Sequence, residues 1–412
     1  MPTASPSPSV VVVSDHASVT GGAEMVAITS AVGLVEAGYD VTFIAGAEPR
    51  DPRLIEHPFH RVEVLGATGF HQSTRRASAF RDALWNRSAE AMMNRALEGL
   101  DPGKTVVHFH SHLSILSPSV LGAALDAGFA CVSTLHDYGI VCPNSGLYIH
   151  PKRVVCPYRP LSLQCVLTQC SKRNYLSKAA LVMRSEILLR RVRGASRIKA
   201  FIAVSRRNGE IVRPFLPKGA VIQHLRNPYQ SPREARVDAE DNAPLVFVGR
   251  LTSEKDPVRL AEAGKRVGMP VVFIGTGPLE DQVRAANPEA EITGWVSQQD
   301  VAAWFRRARA NVMTSRWHEG SPLSLTDAAA RGVPSVVPST MAGAENVEPG
   351  ETGFHFDLAS DDSLDRALDA LKDAGTVRRL SESAYERFWA DPPTLEAHVR
   401  GLGAIYESVL SG

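Results

Sequence analysis

The sequence predicts an α/β protein of two doubly wound domains, each a mostly parallel sheet with helices on both faces. Three observations carry this. Short apolar runs ending in glycine or polar turns alternate with segments of helical period, the pattern of βαβ units. The alternation lapses over residues 229–243, Y-Q-S-P-R-E-A-R-V-D-A-E-D-N-A, and starts afresh beyond them. The length of 412 residues fits two or three domains at about 100 to 200 residues each. A composition 44% hydrophobic, 22% charged and 7% aromatic excludes collagen-like, disordered and disulfide-framework chains. No apolar run reaches the roughly 18 residues of a membrane-spanning helix.

Residues 1–8, M-P-T-A-S-P-S-P, have neither the cationic region nor the apolar stretch of a secretion signal. They read as a disordered tail, and the cytoplasm is the expected compartment. Ser9–Ser14 forms a valine-rich strand, Thr20-Gly21-Gly22 a turn, and Met25, Ile28, Val32 and Val35 fall at helical spacing. Gly38 stops that helix and Asp40–Ala45 is the next strand. Val106–Phe109, Ala130–Thr134, Ala200–Val204 and Val221–Leu225 continue a first domain over 9–228, with a proline- and cysteine-rich insert at about 140–172. After a linker over 229–243, a second domain over 244–392 has strands at Leu245–Val248, Val271–Ile274, Glu291–Thr293, Ala310–Thr314, Ser335–Val337 and Gly353–Phe356. Over 393–412, Leu395, Val399, Leu402, Ile405 and Val409 predict a helix that returns to the first domain.

Chemistry concentrates at strand ends, where open α/β sheets bind ligands. V-F-V-G-R-L-T-S-E-K-D ends a strand at Gly249 and releases Arg250 and Lys255, a fork and a point charge suited to a diphosphate. Taken alone they equally read as surface cations. Gly275 and Gly277 flank a turn that lets a ring or phosphate approach the backbone, and Gly294-Trp295-Val296 follows another strand. Glu319 leaves a strand, Gly320-Ser321-Pro322 make a loop, and Leu323–Ala330 has helical character, so a helix N-terminus presents N–H groups to an anion. Asp327 on that helix is placed to accept hydrogen bonds from ribose hydroxyls. The competing reading makes Glu319 a cap and Asp327 a solvated residue.

In this order these segments resemble the retaining glycosyltransferases of family four, over nearly the whole chain. The diagnostic parts are two acids separated by seven residues, Glu319 and Asp327, and G-R-L-x-x-E-K at 249–255. The family usually carries Glu where this chain has Asp327. Gly21-Gly22-Ala23-Glu24 resembles the family's first glycine loop, and His108–His112 with Leu135–Tyr138 its histidine-bearing loops. The resemblance implies the GT-B fold, two Rossmann-like domains facing a central crevice, and transfer of a sugar from a nucleoside diphosphate sugar to a hydroxyl with retention. It implies that Arg250 and Lys255 neutralise the leaving diphosphate, Glu319 grips donor-sugar hydroxyls, Asp327 holds the ribose, and the backbone around Gly294–Val296 meets the base. Leu323 lies at the donor-binding helix start. No protein nucleophile is nominated; His110 and His136 line the acceptor or sugar side. No strand-flanked D-x-D occurs, so no divalent ion is expected in catalysis.

Cys142, Cys156, Cys165 and Cys170 cluster in the insert. Structural zinc, an iron–sulfur site and ordinary buried residues all remain open, because no C-x-x-C pair is present. Charge divides unevenly: residues 1–232 hold 26 Lys and Arg against 16 Asp and Glu, and 233–412 hold 19 against 28. Residues 172–199 carry nine cations and one acid, Glu186, among many apolar residues. That predicts a cationic helix with a broad apolar face, able to lie on an anionic membrane at the inner face of the cell membrane, or an ordinary domain helix with solvated cations. A glycan or lipid-linked acceptor and polysaccharide or glycolipid assembly are the expected setting, with no nucleic-acid partner. A nicotinamide-dependent oxidoreductase would need G-x-G-x-x-G after the first strand, which residues 14–24 lack. A sugar-nucleotide binding protein without turnover, or an epimerase or phosphorylase of the same fold, is the other rival.

Overall fold

A computed structural model of the protein describes residues 8–67 and 76–412. The tail expected over 1–8 lies, but for Pro8, outside them. The chain forms two compact units. One holds the residues up to Gly146, Pro157–Pro228 and Pro393–Gly412; the other holds Leu147–Cys156 and Tyr229–Pro392. Among the described residues no helix is long and apolar enough to cross a membrane.

The first unit is built on β1 (Ser9–His16), β2 (Val41–Ala47), β3 (Arg61–Val64), β4 (Thr105–Phe109), β5 (Ala130–Leu135), β8 (Ala200–Ala203) and β9 (Ile222–His224); the hairpin of β6 (Tyr148–Ile149) and β7 (Val154–Val155) falls in the second unit. The first unit's sheet runs β3-β2-β1-β4-β5-β8-β9 and every pair is parallel. The central β1 needs apolar side chains on both faces, which is why Val10–Val13 are consecutive valines rather than an alternating pattern; all four are buried. Val12 pairs with Phe43 on one side and His108 on the other.

The helix α1 (Gly22–Glu36) is buried continuously from Val26 to Leu34, because the sheet covers one face and the C-terminal helix Leu395–Ser411 the other. The two helices meet at Gly33, where a Cβ would come within 2.7 Å of Leu395 and 2.8 Å of Val399. Polar contacts fix the same junction. His398 bonds Ser30 Oγ and the Arg226 carbonyl, each at 2.9 Å, and His108 bonds the Tyr406 hydroxyl and Thr134 Oγ1, each at 2.7 Å.

Two helices follow, α2 (Leu163–Leu167) inside the insert and α3 (Tyr175–Glu186) just beyond it. Here the expected amphipathic arrangement is only partly kept. Lys178 and Arg184 are buried while Leu176 and Met183 are exposed. The inward cations find partners: Arg184 donates to the carbonyls of Leu113 and Pro143 at 2.6 and 3.3 Å, and Lys178 Nζ meets sulfur, as described below.

The second unit carries β10 (Leu245–Val248), β11 (Val271–Ile274), β12 (Glu291–Gly294), β13 (Ala310–Val312), β14 (Ser335–Pro338) and β15 (Gly353–Phe356), ordered β12-β11-β10-β13-β14-β15 and parallel throughout. Leu245, Phe247, Val271, Phe273 and Leu260 lie in its core. The expected linker over 229–243 is instead part of this unit. Ala239 is fully buried, and Arg236 donates to Glu240 at 2.9 and 3.0 Å, holding that carboxyl down at about 2. A polar segment anchored by ion pairs shows no apolar period, so composition could not reveal it.

Burial holds His108 at about 3 and His398 at about 4, below the usual value of about 6.5. Between pH 6.5 and those values the unfolded chain takes up protons that the folded chain refuses. Stability is therefore intact above pH 6.5 and falls as pH drops towards 4, by about 1.4 kcal/mol per pH unit for each histidine. Urea unfolding at pH 7.5 and 5.5 should differ by at least about 2 kcal/mol.

Candidate functional site

The second unit gathers its chemistry at the carboxyl ends of β10, β11 and β13. At the end of β10 the backbone turns at Gly249 with φ +151, and Gly275 after β11 has φ +142, angles that side-chain-bearing residues rarely adopt. The two loops lie against one another. Gly249 N–H donates to Ile274 O and Leu251 N–H to Thr276 O. A Cβ at Gly275 would fall 2.1 Å from Gly249 O, and one at Gly277 2.3 Å from Leu251 O. The direction a side chain would take from Gly277 is thus filled by the neighbouring loop.

These loops deliver Lys255 to Glu319. Lys255 Nζ donates to Glu319 Oε1, Ser315 Oγ donates to Oε2 at 3.1 Å, and Glu319 is buried. Thr314 Oγ1 donates to the carbonyls of Lys255 and Asp256 at 2.9 and 2.8 Å, so the end of β13 carries the lysine loop directly. Arg250 stays 62% exposed, its guanidinium 4.0 Å from buried Glu254, and is free to turn towards a ligand. From Glu319 the chain passes Gly320, Ser321 and Pro322 into α4 (Leu323–Ala330), which no side chain caps. Gly343 N–H donates to Glu319 O at 2.8 Å and holds that loop from behind.

Asp327 sits one turn into α4, its carboxylate 3.5 Å from Arg331 Nη1 and 16% exposed. Burial pushes its carboxyl up to about 6 against the pull of Arg331. Trp295, for which a buried aromatic at a turn is the alternative sequence reading, is instead 67% exposed beside Gly294, whose φ is +78. Val296 is partly buried against Val246 and Ile274.

One contributor escaped the sequence reading. The β6–β7 hairpin of the cysteine-rich insert belongs to this second unit, and His150 Nδ1 lies 3.9 Å from Glu254 Oε2. Burial raises the neighbouring Tyr148 hydroxyl to about 12. Two-residue strands give too short a pattern to find, and nothing in their spacing ties them to Glu254.

In the first unit the uncapped start of α1 at Gly21 and Gly22 follows β1, as expected of the glycine loop. His110 and His136 leave the ends of β4 and β5, and their Nδ1 and Nε2 atoms share a hydrogen bond of 2.9 Å. Desolvation holds His110 well below its ordinary value and His136 at about 3, so the pair is neutral at pH 7. His110 Nε2 is buried and has no partner among the described residues. Asp15, not singled out in sequence, accepts from the N–H groups of Ser114, Ile115 and Leu116 at 2.8 to 3.0 Å and shapes the loop after the histidines.

Of the three cysteine readings, the two metal sites find no support, and that of ordinary buried residues fits. Among the described residues no group of three or more His, Cys, Asp or Glu is placed to hold a metal. Lys178 Nζ donates to Cys170 Sγ at 3.1 Å and Cys165 Sγ at 3.6 Å, and Cys142 Sγ donates to Asn144 at 3.1 Å. Cys156 is half-buried, in the hairpin segment of the second unit. A buried ammonium stands between sulfurs where zinc would need open ligands. Burial alone would depress Lys178, but the hydrogen bond to Cys170 and the electrostatic attraction of the neighbouring sulfurs outweigh it and raise its pKa.

Removing one partner of a buried ion pair leaves the other charge uncompensated, which costs about 3 to 5 kcal/mol. Lys255→Met should therefore lower stability by about 3 kcal/mol. Adding Glu319→Gln should restore most of it, as read by urea unfolding of the single and double variants.

The comparisons with known proteins follow this geometry. Residues 231–387 match the family described as Glycosyl transferases group 1, and residues 20–224 match Glycosyltransferase Family 4. The GDP-mannose-dependent alpha-mannosyltransferase of Mycolicibacterium smegmatis is 31% identical over 136 residues, 33% of this chain and 35% of that one. The match thus spans about a third of the relative's length. Sucrose-phosphate synthase from Thermosynechococcus elongatus superposes with a TM-score of 0.72 at 18% identity, covering 98% of this chain and 99% of that one. Anabaena HepE, solved in complex with UDP and glucose, gives 0.68 at 14% identity, covering 97% and 100%. At these identities the structural likeness is one of fold. With both units accounted for by adjoining family matches and by the two parallel sheets, the chain belongs to the group 1, family four glycosyltransferases of the GT-B fold.

Proposed function

We propose that this protein moves a hexose from a nucleoside diphosphate sugar to a hydroxyl of a glycan or lipid-linked acceptor, with retention and without a metal, in the assembly of a cell-surface polysaccharide or glycolipid. The observation that carries this is the Lys255–Glu319 pair set before the uncapped start of α4. A cation beside unfilled helix N–H groups is an anion site, and the carboxylate next to it is an acceptor for sugar hydroxyls. The curated relatives act on GDP-mannose by name, and one structural neighbour holds UDP and glucose. Both support a nucleoside diphosphate hexose donor.

In this reading the bond from the anomeric carbon to the diphosphate oxygen breaks as charge accumulates on the diphosphate. Lys255 and Arg250 meet that charge, so their effect is greatest in the transition state. Donor binding draws Lys255 towards phosphate and frees Glu319 for the sugar. The acceptor oxygen attacks from the face the diphosphate leaves, and its proton passes to a departing phosphate oxygen. His110 and His136, neutral at working pH, orient hydroxyls by hydrogen bonds rather than by charge. Ionised Asp327 accepts from the ribose hydroxyls, and Gly294–Val296 lie along the base.

Thermal unfolding with UDP, GDP and ADP tests the donor site. One of them at 100 times its dissociation constant should stabilise by about 2.7 kcal/mol, and Arg250→Ala should abolish most of that shift while leaving the ligand-free protein as stable as before. Stabilisation by none of the three would overturn the reading. In turnover, Arg250→Ala should lower kcat by about 10²-fold or more with a smaller rise in KM. Because the Asp327 carboxyl titrates at about 6, nucleotide affinity should fall as pH drops from 7.5 to 5, and Asp327→Asn should flatten that dependence.

A further inference from the structure

The cluster of Lys178, Cys165 and Cys170 takes no part in the proposed sugar transfer. A buried lysine ordinarily pairs its ammonium with a carboxylate. Lys178, only 1% exposed, instead places Nζ 3.1 Å from Cys170 Sγ and 3.6 Å from Cys165 Sγ. Both sides of this contact are anchored. The Cys170 carbonyl accepts from Asn144 Nδ2 at 3.1 Å, and the Gln169 amide brackets Ser171, accepting from its N–H at 3.2 Å and donating to its carbonyl at 3.3 Å. On the lysine side, Asn174 Oδ1 caps α3 by accepting from Ser177 N–H at 2.9 Å, and the Tyr175 hydroxyl donates to Val166 O at 2.9 Å. A nitrogen and a sulfur are thereby held in contact within one chain, which gives any reaction between them a high effective concentration.

The cluster lies one short helix beneath the surface. Leu163 and Leu167, on either side of Cys165, are 71 and 65% exposed, while Cys165 and Cys170 keep 6 and 5% of their own surface. That leaves an approach to sulfur for an oxidant as small as peroxide and closes the amine to bulky reagents. A disulfide between the two cysteines would need their sulfurs about 2.0 Å apart, and the ammonium stands between them. The nearest reactive neighbour of an oxidised Cys170 is therefore Lys178.

We infer that Lys178 and Cys170 form an oxidative cross-linking site, at which peroxide joins the lysine nitrogen to the cysteine sulfur through one oxygen atom, Nζ–O–Sγ. One peroxide transfers an oxygen to Cys170: the thiol becomes a sulfenic acid, sulfur loses two electrons, and the peroxide leaves as water. Lys178 begins as an ammonium, because its sulfur neighbours outweigh the effect of burial. A second peroxide takes two electrons from the nitrogen as the N–O bond forms. Three protons leave, one from the sulfenic acid and two from the ammonium; two of them complete two waters with the reduced peroxide, and the third passes to solvent. Excess dithiothreitol supplies the four electrons that return both side chains. The bridge ties α3 to the loop before it across eight residues, and it does not depend on the proposed sugar-transfer site, which draws on other residues.

The test is peptide mass mapping of the full chain after hydrogen peroxide, with and without later dithiothreitol. The wild type should yield a species about 14 Da heavier, one oxygen gained and two hydrogens lost, in which the Cys170 peptide is joined to the one containing Lys178. Trypsin should no longer cleave after Lys178, and dithiothreitol should restore both peptides. Melting temperature should rise with the cross-link, since it closes a loop in the unfolded chain, and fall back on reduction. Cys170→Ser should abolish the species and Cys165→Ser should retain it. A loss of about 2 Da, as in a disulfide or a direct S–N bond, would overturn the inference, as would gains of about 16 Da per oxygen on separate peptides. So would persistence of the species in Cys170→Ser. The peptide masses of the wild type decide the matter by themselves if that variant does not fold.

Discussion

Parallel strand pairing is the constraint on which the rest depends. When every strand of a sheet runs the same way, all carboxyl ends fall along one edge, and the loops that leave them are neighbours whatever their separation in sequence. Arg250 and Lys255 leave β10, Gly275 leaves β11, Gly294 closes β12, and Ser315 and Glu319 follow β13. The ion pair between Lys255 and Glu319 spans 64 residues of chain, yet it needs only adjacent β10 and β13. The first unit repeats the logic: Asp15, His110 and His136 leave β1, β4 and β5, three consecutive strands of its sheet.

Charge is then managed locally in each unit, by different means. In the second unit a buried carboxylate, Glu319, accepts hydrogen bonds from Lys255 and Ser315, and a partly buried one, Asp327, is pushed up to about 6 because Arg331 only partly offsets its desolvation. In the first unit the site histidines carry no charge at all, since burial among other imidazoles makes protonation unfavourable. The second unit thus sets charged groups against one another, and the first removes charge by burial.

The cysteine-rich insert shows how far tertiary context can redirect a local pattern. Its cations at Lys178 and Arg184 point inward because sulfur atoms and backbone carbonyls there accept their hydrogen bonds. Its leucines point outward as a result, and its hairpin supplies His150 to the second unit. Gly33 makes the complementary point in α1: a residue of low helix propensity is required there because another helix lies against it.

Sequence alone determined the α/β class, the run of short strands from Ser9–Ser14 to Gly353–Phe356, and the motif residues at Gly249–Lys255 and Glu319–Asp327, because a buried parallel strand and a glycine turn each leave a local apolar or steric signature. It missed β3, a half-polar R-V-E-V strand at the sheet edge, and the β6–β7 hairpin, whose two-residue strands are too short to show a period, and it took 229–243 for a linker because Arg236 and Glu240 hide a packed segment inside a polar one. Only the tertiary structure decided which way α3 faces, that Lys178 stands among the cysteines, that Gly277 serves the neighbouring loop, and that Asp15 organises the loop after the histidines. Those outcomes rest on contacts between residues far apart in the chain, and no period or composition within a segment encodes them.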